Sequence, residues 1–146
     1  MTIFEEGIFY YMDDGKQVTT KPIRVVMDDP IRFYDGEGRR IIPAKEWEGL
    51  PLGIKGMIDV TVEEAKKFMR IENNLEDELI QELIDGAIDD ISAELNRGWP
   101  TADDIPVSIK TAIKQTVLYR YENRGDDNIP DTALSIISRY KFIPGL

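Results

Sequence analysis

Neither cysteine nor histidine occurs anywhere in the 146 residues. That double absence excludes disulfide staples, thiolate nucleophiles, zinc sites of the usual kind and imidazole general bases. No Ser-His or Cys-His triad can be built within the chain, so only carboxylates, Lys, Tyr, Ser and Thr remain as chemical candidates. Long hydrophobic runs are missing too. No stretch nears the ~20 apolar residues that span a bilayer, and the N-terminus has no signal-peptide pattern. The expectation is a soluble protein used without export. Phosphate-cradling glycine loops are absent in both the Walker and the dinucleotide spacing. Asp13-Asp14-Gly15 and Asp126-Asp127-Asn128 lack the alternating oxygen ligands and distal Glu of an EF-hand. No cofactor or metal is expected.

Positive charge is scarce. Lys and Arg number 18 against 28 Asp and Glu, a net charge of −10 that opposes a general grip on nucleic acid. Residues 1–59 hold 11 acids and 8 bases, whereas residues 60–146 hold 17 acids and 10 bases, so the acidity lies mostly in the C-terminal part.

What is present suits a globular protein of one domain or two small ones, large enough to bury roughly two-thirds of its unfolded surface. The two halves have different patterns, and together they predict an α+β fold: a small β-rich N-terminal module over residues 1–58, then a four-helix α bundle over residues 59–146. Gly7–Met12 is aromatic and β-favouring, and it ends at the Asp13-Asp14-Gly15 turn, after which Gln17–Thr20 returns antiparallel. Ile23–Met27 forms a further strand, broken by Asp29-Pro30. Ile31–Tyr34 and Arg39–Ile42 flank Asp35-Gly36-Glu37-Gly38 as a second hairpin. Four or five short strands fit a small sheet or partial barrel. Residues 46–59 are dense in Gly and Pro and mark a connector whose apolar residues pack against something. The boundary falls near residues 57–59.

Helical signals follow. Thr61-Val62-Glu63-Glu64 reads as a capping box for a helix over about 62–70. Asn73-Asn74 interrupts it, with Asn74 able to cap the next helix. There Leu75, Leu79, Ile80, Leu83, Ile84, Ala87, Ile88, Ile91 and Leu95 recur at three- and four-residue spacing as one apolar stripe. Gly98 is the expected left-handed cap, and Trp99-Pro100 the following loop. Pro106 opens a third helix with Ile109, Ala112, Ile113, Val117, Leu118 and Tyr121 inward, closed by Gly125. Pro130-Asp131 opens a fourth, carrying Leu134, Ile136 and Ile137.

Between Glu72 and Glu94 stand nine acids and no base. Glu78, Glu82, Asp85 and Asp89 share one helical face, opposite much of the apolar stripe. Three readings stay open for that face: a metal or acid-base site, a plainly solvated surface, or a contact for a basic partner. On the third helix Lys110 and Lys114 sit one turn apart, as do Arg120 and Arg124. They can bridge to the second helix's acids within one molecule or between copies, and pairing an acidic face with a basic one is what closes a ring. Glu46 and Glu48 around Trp47 offer the nearest thing to a carboxylate pair beside an aromatic, though Trp47 there reads better as an anchor. Arg124-Gly125-Asp126 reads as a helix cap and loop. Phe142-Ile143-Pro144-Gly145-Leu146 is an apolar end that either folds back or docks into a partner.

The run Asp59-Val60-Thr61-Val62-Glu63-Glu64-Ala65-Lys66-Lys67-Phe68-Met69-Arg70-Ile71 resembles the opening of phage head-tail connectors of the gp6-like and gp15-like adaptor group. Leu79-Ile80-Gln81-Glu82-Leu83-Ile84-Asp85-Gly86-Ala87 is similar to that family's long helix. Pro106 leading to Tyr121-Glu122-Asn123-Arg124 matches its third, and Arg139-Tyr140-Lys141 its closing element. The likeness covers about residues 59–146, and residues 1–58 depart from it. It implies a structural, non-enzymatic adaptor of a tailed phage. Copies, about twelve of them, would close a ring under the portal protein. The ring would extend the DNA channel, let DNA pass without sequence-specific binding, and carry stopper, head-completion or tail proteins. The protein would sit at the head-tail junction of the virion after assembly in the host cytoplasm. On this reading Glu78, Glu82, Asp85 and Asp89, with Lys110, Lys114, Arg120 and Arg124, are the ring-closing candidates. Arg139, Tyr140, Phe142, Ile143 and Leu146 are the portal-docking candidates. The competing readings are a small soluble regulatory or antitoxin-like protein-binding module with a basic partner, and an enzyme working with carboxylates alone.

Overall fold

The computed structural model describes residues 5–28, 30–50 and 53–142. Its architecture is α+β, a five-stranded antiparallel sheet followed by helices. The strands are β1 (Gly7–Tyr11), β2 (Gln17–Thr20), β3 (Arg24–Val26), β4 (Arg32–Tyr34) and β5 (Arg40–Pro43), in the order β2-β1-β5-β4-β3. Consecutive strands pair except β2 with β3, and β1 closes onto β5 with Tyr10 opposite Ile42. Phe9 of β1 and Phe33 of β4 lie on one face of this sheet, opposite Pro43 and Ile41 of the intervening β5, and their ring centroids are 6.2 Å apart.

Alternation along β5 sends Ile41 to this face and Ile42 to the opposite one, where it joins the helical core. A five-residue helix, α1 (Ala44–Glu48), starts two residues before the predicted connector and runs into it, a turn of structure that the Gly/Pro count had obscured. Trp47 of α1 stacks on Tyr10 at 5.2 Å, so Trp47 anchors α1 to the sheet while Glu46 and Glu48 remain exposed. Past α1 the chain is stitched to the bundle: the Gly53 N–H donates to the Arg97 carbonyl, and the Ile54 N–H to Ser92 Oγ. Gly53 has φ +82°, and a Cβ there would lie 2.7 Å from Ser92 Cβ, so only glycine fits.

Four helices build the bundle: α2 (Val62–Met69), α3 (Asp77–Leu95), α4 (Val107–Glu122) and α5 (Asp131–Ile137). Thr61 caps α2 by accepting from the Glu64 N–H at 3.1 Å. The reciprocal half of the expected capping box is not made, because Glu64 reaches the lysines of α4 instead. Asn74 does not cap α3. Its side chain accepts from the buried Lys66 ammonium, and α3 starts after Glu76 without a side-chain cap. The α3 stripe buries Ile80, Ile84, Ala87, Ile91 and Leu95, but Leu75 lies before the helix and is 89% exposed. Asn96, at φ 51°, supplies the left-handed cap assigned to Gly98, a conformation asparagine tolerates better than most residues. Trp99 is not loop surface but core, at 1% exposure. A single 3₁₀ turn, Ala102–Asp104, with a complete Thr101/Asp104 capping box, precedes α4, and Pro106 is the N-cap residue of α4.

Sheet and bundle meet around Arg97, which is 2% exposed. Its guanidinium lies between the Trp47 and Trp99 rings, 4.7 and 4.2 Å from their centroids, and donates to the carbonyls of Asp13 and Tyr140. Burial pushes the Arg97 pKa down to about 10, with Asp13 and Asp14 acting the other way, so the group is still charged at neutral pH. A buried cation without a contacting carboxylate is tolerable because two indole faces and three carbonyls, that of Gly98 with those of Asp13 and Tyr140, replace its water. Beside it Arg40 of β5 pairs with Asp104 of the 3₁₀ turn. Replacing Arg97 with Ala opens a void between two Trp rings and leaves these carbonyls without their donor. Denaturant unfolding should then show a loss of about 3 kcal/mol.

The C-terminal end of α4 is held by two Tyr–carboxylate bonds: Tyr121 donates to Glu76, and Tyr119 to Asp126. These bonds are the main reason both carboxyls titrate below their ordinary range, with Arg124 helping at Glu76 and the Asn128 N–H at Asp126. A carboxyl whose folded pKa is depressed stabilises above its unfolded value and loses that contribution as pH falls through the folded value. Thermal melts of the wild-type chain should therefore drop as pH falls below about 4.5. Tyr121→Phe should drop less steeply there; an equally steep profile would show that Glu76 does not carry this linkage.

Candidate interaction surfaces

The orientation of α3 sorts its acids into two groups. Those flanking the buried stripe are bridged within the molecule: Asp77 to Lys66 at 2.9 Å, Asp90 to Arg120 at 2.7 Å, Glu94 to Lys141 at 3.0 Å, and Glu76 to Arg124. The outer face carries Glu78, Glu82, Asp85 and Asp89, all exposed. Of these, Asp89 meets the largely exposed Lys55 at 3.1 Å, and Asp85 accepts from Gln81. Glu78 and Glu82 have no partner among the described residues. The sequence stripe thus brings the four named acids onto one surface that the fold leaves to solvent.

The four named bases, Lys110, Lys114 and Arg120 of α4 and Arg124 just past its end, are occupied. Lys110 and Lys114 both approach Glu64 of α2, at 3.2 and 3.9 Å, rather than the acids of α3. Arg120 has only 7% of its side chain exposed. Besides Asp90 it donates to the carbonyls of Asp127 and Asn128, so it fixes the loop between α4 and α5. Arg124 is 61% exposed and shares Glu76 with Tyr121. Of the two arrangements open to these bases, the one within a single molecule is present.

The C-terminal candidates divide as well. Arg139 is exposed. The Tyr140 hydroxyl accepts from Ser108 at 3.4 Å, and its carbonyl accepts from Arg97. Phe142 folds back: its N–H donates to the Leu95 carbonyl, and its ring meets Trp47 and Tyr10 edge-on at 6.0 and 6.4 Å. Ile143 and Leu146 lie outside the described residues. Sequence reasoning missed Arg97 and Trp99 altogether. The one available signal was their adjacency after a helix end, where a loop reading hid them.

An open groove of about 1090 Å³ runs between the end of α3, the α4–α5 loop and α5, with Asp127, Ile129, Asp131 and Leu134 on its walls. No group of three carboxylates among the described residues is placed to hold a metal ion. The two carboxyls with shifted titration, Glu76 and Asp126, are pushed down, the wrong direction for a general acid. No described helix is long and apolar enough to cross a membrane.

No curated protein and no solved structure matched the chain. A family model did, over residues 59–141, which takes in all of α2, α3, α4 and α5 and more than half of the sequence. By that match the chain belongs to the phage gp6-like head-tail connector proteins, a structural family of the phage head-tail junction.

Proposed function

We propose that copies of this connector close a ring beneath the portal protein at the DNA-exit vertex, extending the channel and giving stopper or tail proteins their platform. The carrying observation is the exposed acidic face of α3, which lies wholly inside the family-matched region. A helix that keeps Glu78, Glu82, Asp85 and Asp89 outward accepts like-charge repulsion of a few tenths of a kcal/mol per close pair. A contact with a basic surface on another chain offsets that repulsion. A net charge of −10 also suits a wall past which DNA moves, since phosphates find few cations to displace their counterions. In this reading residues 59–146 are the connector unit, and residues 1–58 are an added module offering a second contact surface. Arg139 and the segment after Phe142 are the portal-facing elements.

Two tests follow. Electron microscopy and mass measurement of the purified protein, alone and with portal-bearing heads, should show a closed ring on the heads. Heads that take up only single copies would overturn the ring. Neutralising the outer face (Glu78→Gln, Glu82→Gln, Asp85→Asn and Asp89→Asn together) should leave thermal stability unchanged or slightly higher, while head completion falls. Removing residues 143–146 should likewise leave the fold intact and reduce binding to portal-bearing heads. Normal completion by the truncated chain would refute portal docking by that end.

A further inference from the structure

We infer that neighbouring copies join head to tail, the end of α2 on one copy entering the α3–α5 groove of the next. This rests on the ring reading and assigns its contact. The groove holds four carboxylates, of which Asp90 and Glu94 are already bridged to Arg120 and Lys141. Asp127 and Asp131 are exposed and make no ion pair among the described residues. Beside them Leu134 is 36% exposed and Ile129 half-buried, so the groove presents an apolar wall rimmed by two available negative charges.

The complementary surface lies on the same chain. Phe68 of α2 is 39% exposed, with Lys67 on one side and Arg70 two residues on. Neither cation makes an ion pair among the described residues, in contrast to Lys66, Lys110, Lys114, Arg120 and Arg124. Arg70 sits in the left-handed region at φ 61° and caps α2, so the helix ends one residue past Phe68. An aromatic anchor flanked by cations fits a groove with an apolar wall and two carboxylates, and aromatics and Arg are the residues enriched in such contacts.

The two surfaces cannot meet within one molecule. The end of α2 leads to the start of α3, whereas the groove lies by Asp90 and Glu94, about 20 to 25 Å further along the α3 axis. A copy that fills its neighbour's groove can therefore receive a third copy in its own, the heterologous mode that generates rings, whereas a reciprocal pair would stop at a dimer.

The absence of native cysteine makes the test clean. The double variant Phe68→Cys/Leu134→Cys is oxidised on portal-bearing heads and in concentrated solution, with each single variant as control. A ladder of cross-linked species from the double variant, and none from the singles, supports the contact. Lys67→Glu/Arg70→Glu in that background should reduce the ladder about tenfold, and adding Asp127→Lys/Asp131→Lys should restore it. Rings visible by microscopy without cross-linking would overturn this contact and leave the ring standing. A double variant that stops at cross-linked dimers, or dimers from a single variant, would overturn head-to-tail joining. No assembly under either condition would overturn the ring and the contact together.

Discussion

Burial of the α3 stripe against the other helices decides which charges the molecule uses internally. Once Ile80, Ile84, Ala87, Ile91 and Leu95 turn inward, the helical period leaves Glu76, Asp77, Asp90 and Glu94 near the seams with α2, α4 and the C-terminal segment. Each meets a cation there. The remaining acids have no seam to reach and stay outside. A single hydrophobic constraint thus produces both the internal bridges and the outward negative face. The bridges at seams are the more valuable group: Arg120 and Lys66 are nearly buried and hydrogen-bonded on several sides, whereas Lys55–Asp89 is exposed and worth little.

This asymmetry explains what could be read in the sequence. The α3 stripe, the α4 core positions and the strand boundaries depend on period and on local turn chemistry, which a sequence displays directly. Pairing partners do not. Lys110 and Lys114 sit at spacings that suit an acidic neighbour, but their choice of Glu64 over α3 depends on how α2 crosses α4. The cap at the end of α3 was misplaced for a related reason: Gly98 is the stronger generic signal, yet the helix stops two residues earlier because Asn96 takes the left-handed turn. That turn swings Arg97 and Trp99 inward. Leu75 fits the stripe's spacing but precedes the first helical residue, where periodicity carries no information.

Arg97 also changes how the two halves relate. Its neighbours come from the β1–β2 turn, α1, the end of α3 and the segment after α5, so one side chain touches every part of the junction. Met12, Ile42 and Ile54 share a cluster with the α3 and α4 core, so the sheet has no separate hydrophobic boundary on that face. On its other face Phe9 packs against Phe33, and Phe9 and Ile41 are buried. A tethered module would need only a linker; here the stacking of Trp47 on Tyr10, the Gly53 contact with α3 and the Arg40–Asp104 pair fix its direction.

That fixed direction bears on assembly. Strands β2 and β3 are the open edges of the sheet, four and three residues long, and they carry Lys16, Lys21, Arg24 and Asp28 on or beside them. Short, charged edges resist pairing with stray strands. In a ring of copies the sheets would therefore repeat at one set angle without zipping together through their edges. Joining copies would fall to the helical part, whose surfaces are charged and grooved. The family match covers residues 59–141 alone, although Met12 and Ile42 of the preceding module share one core with the helices inside it.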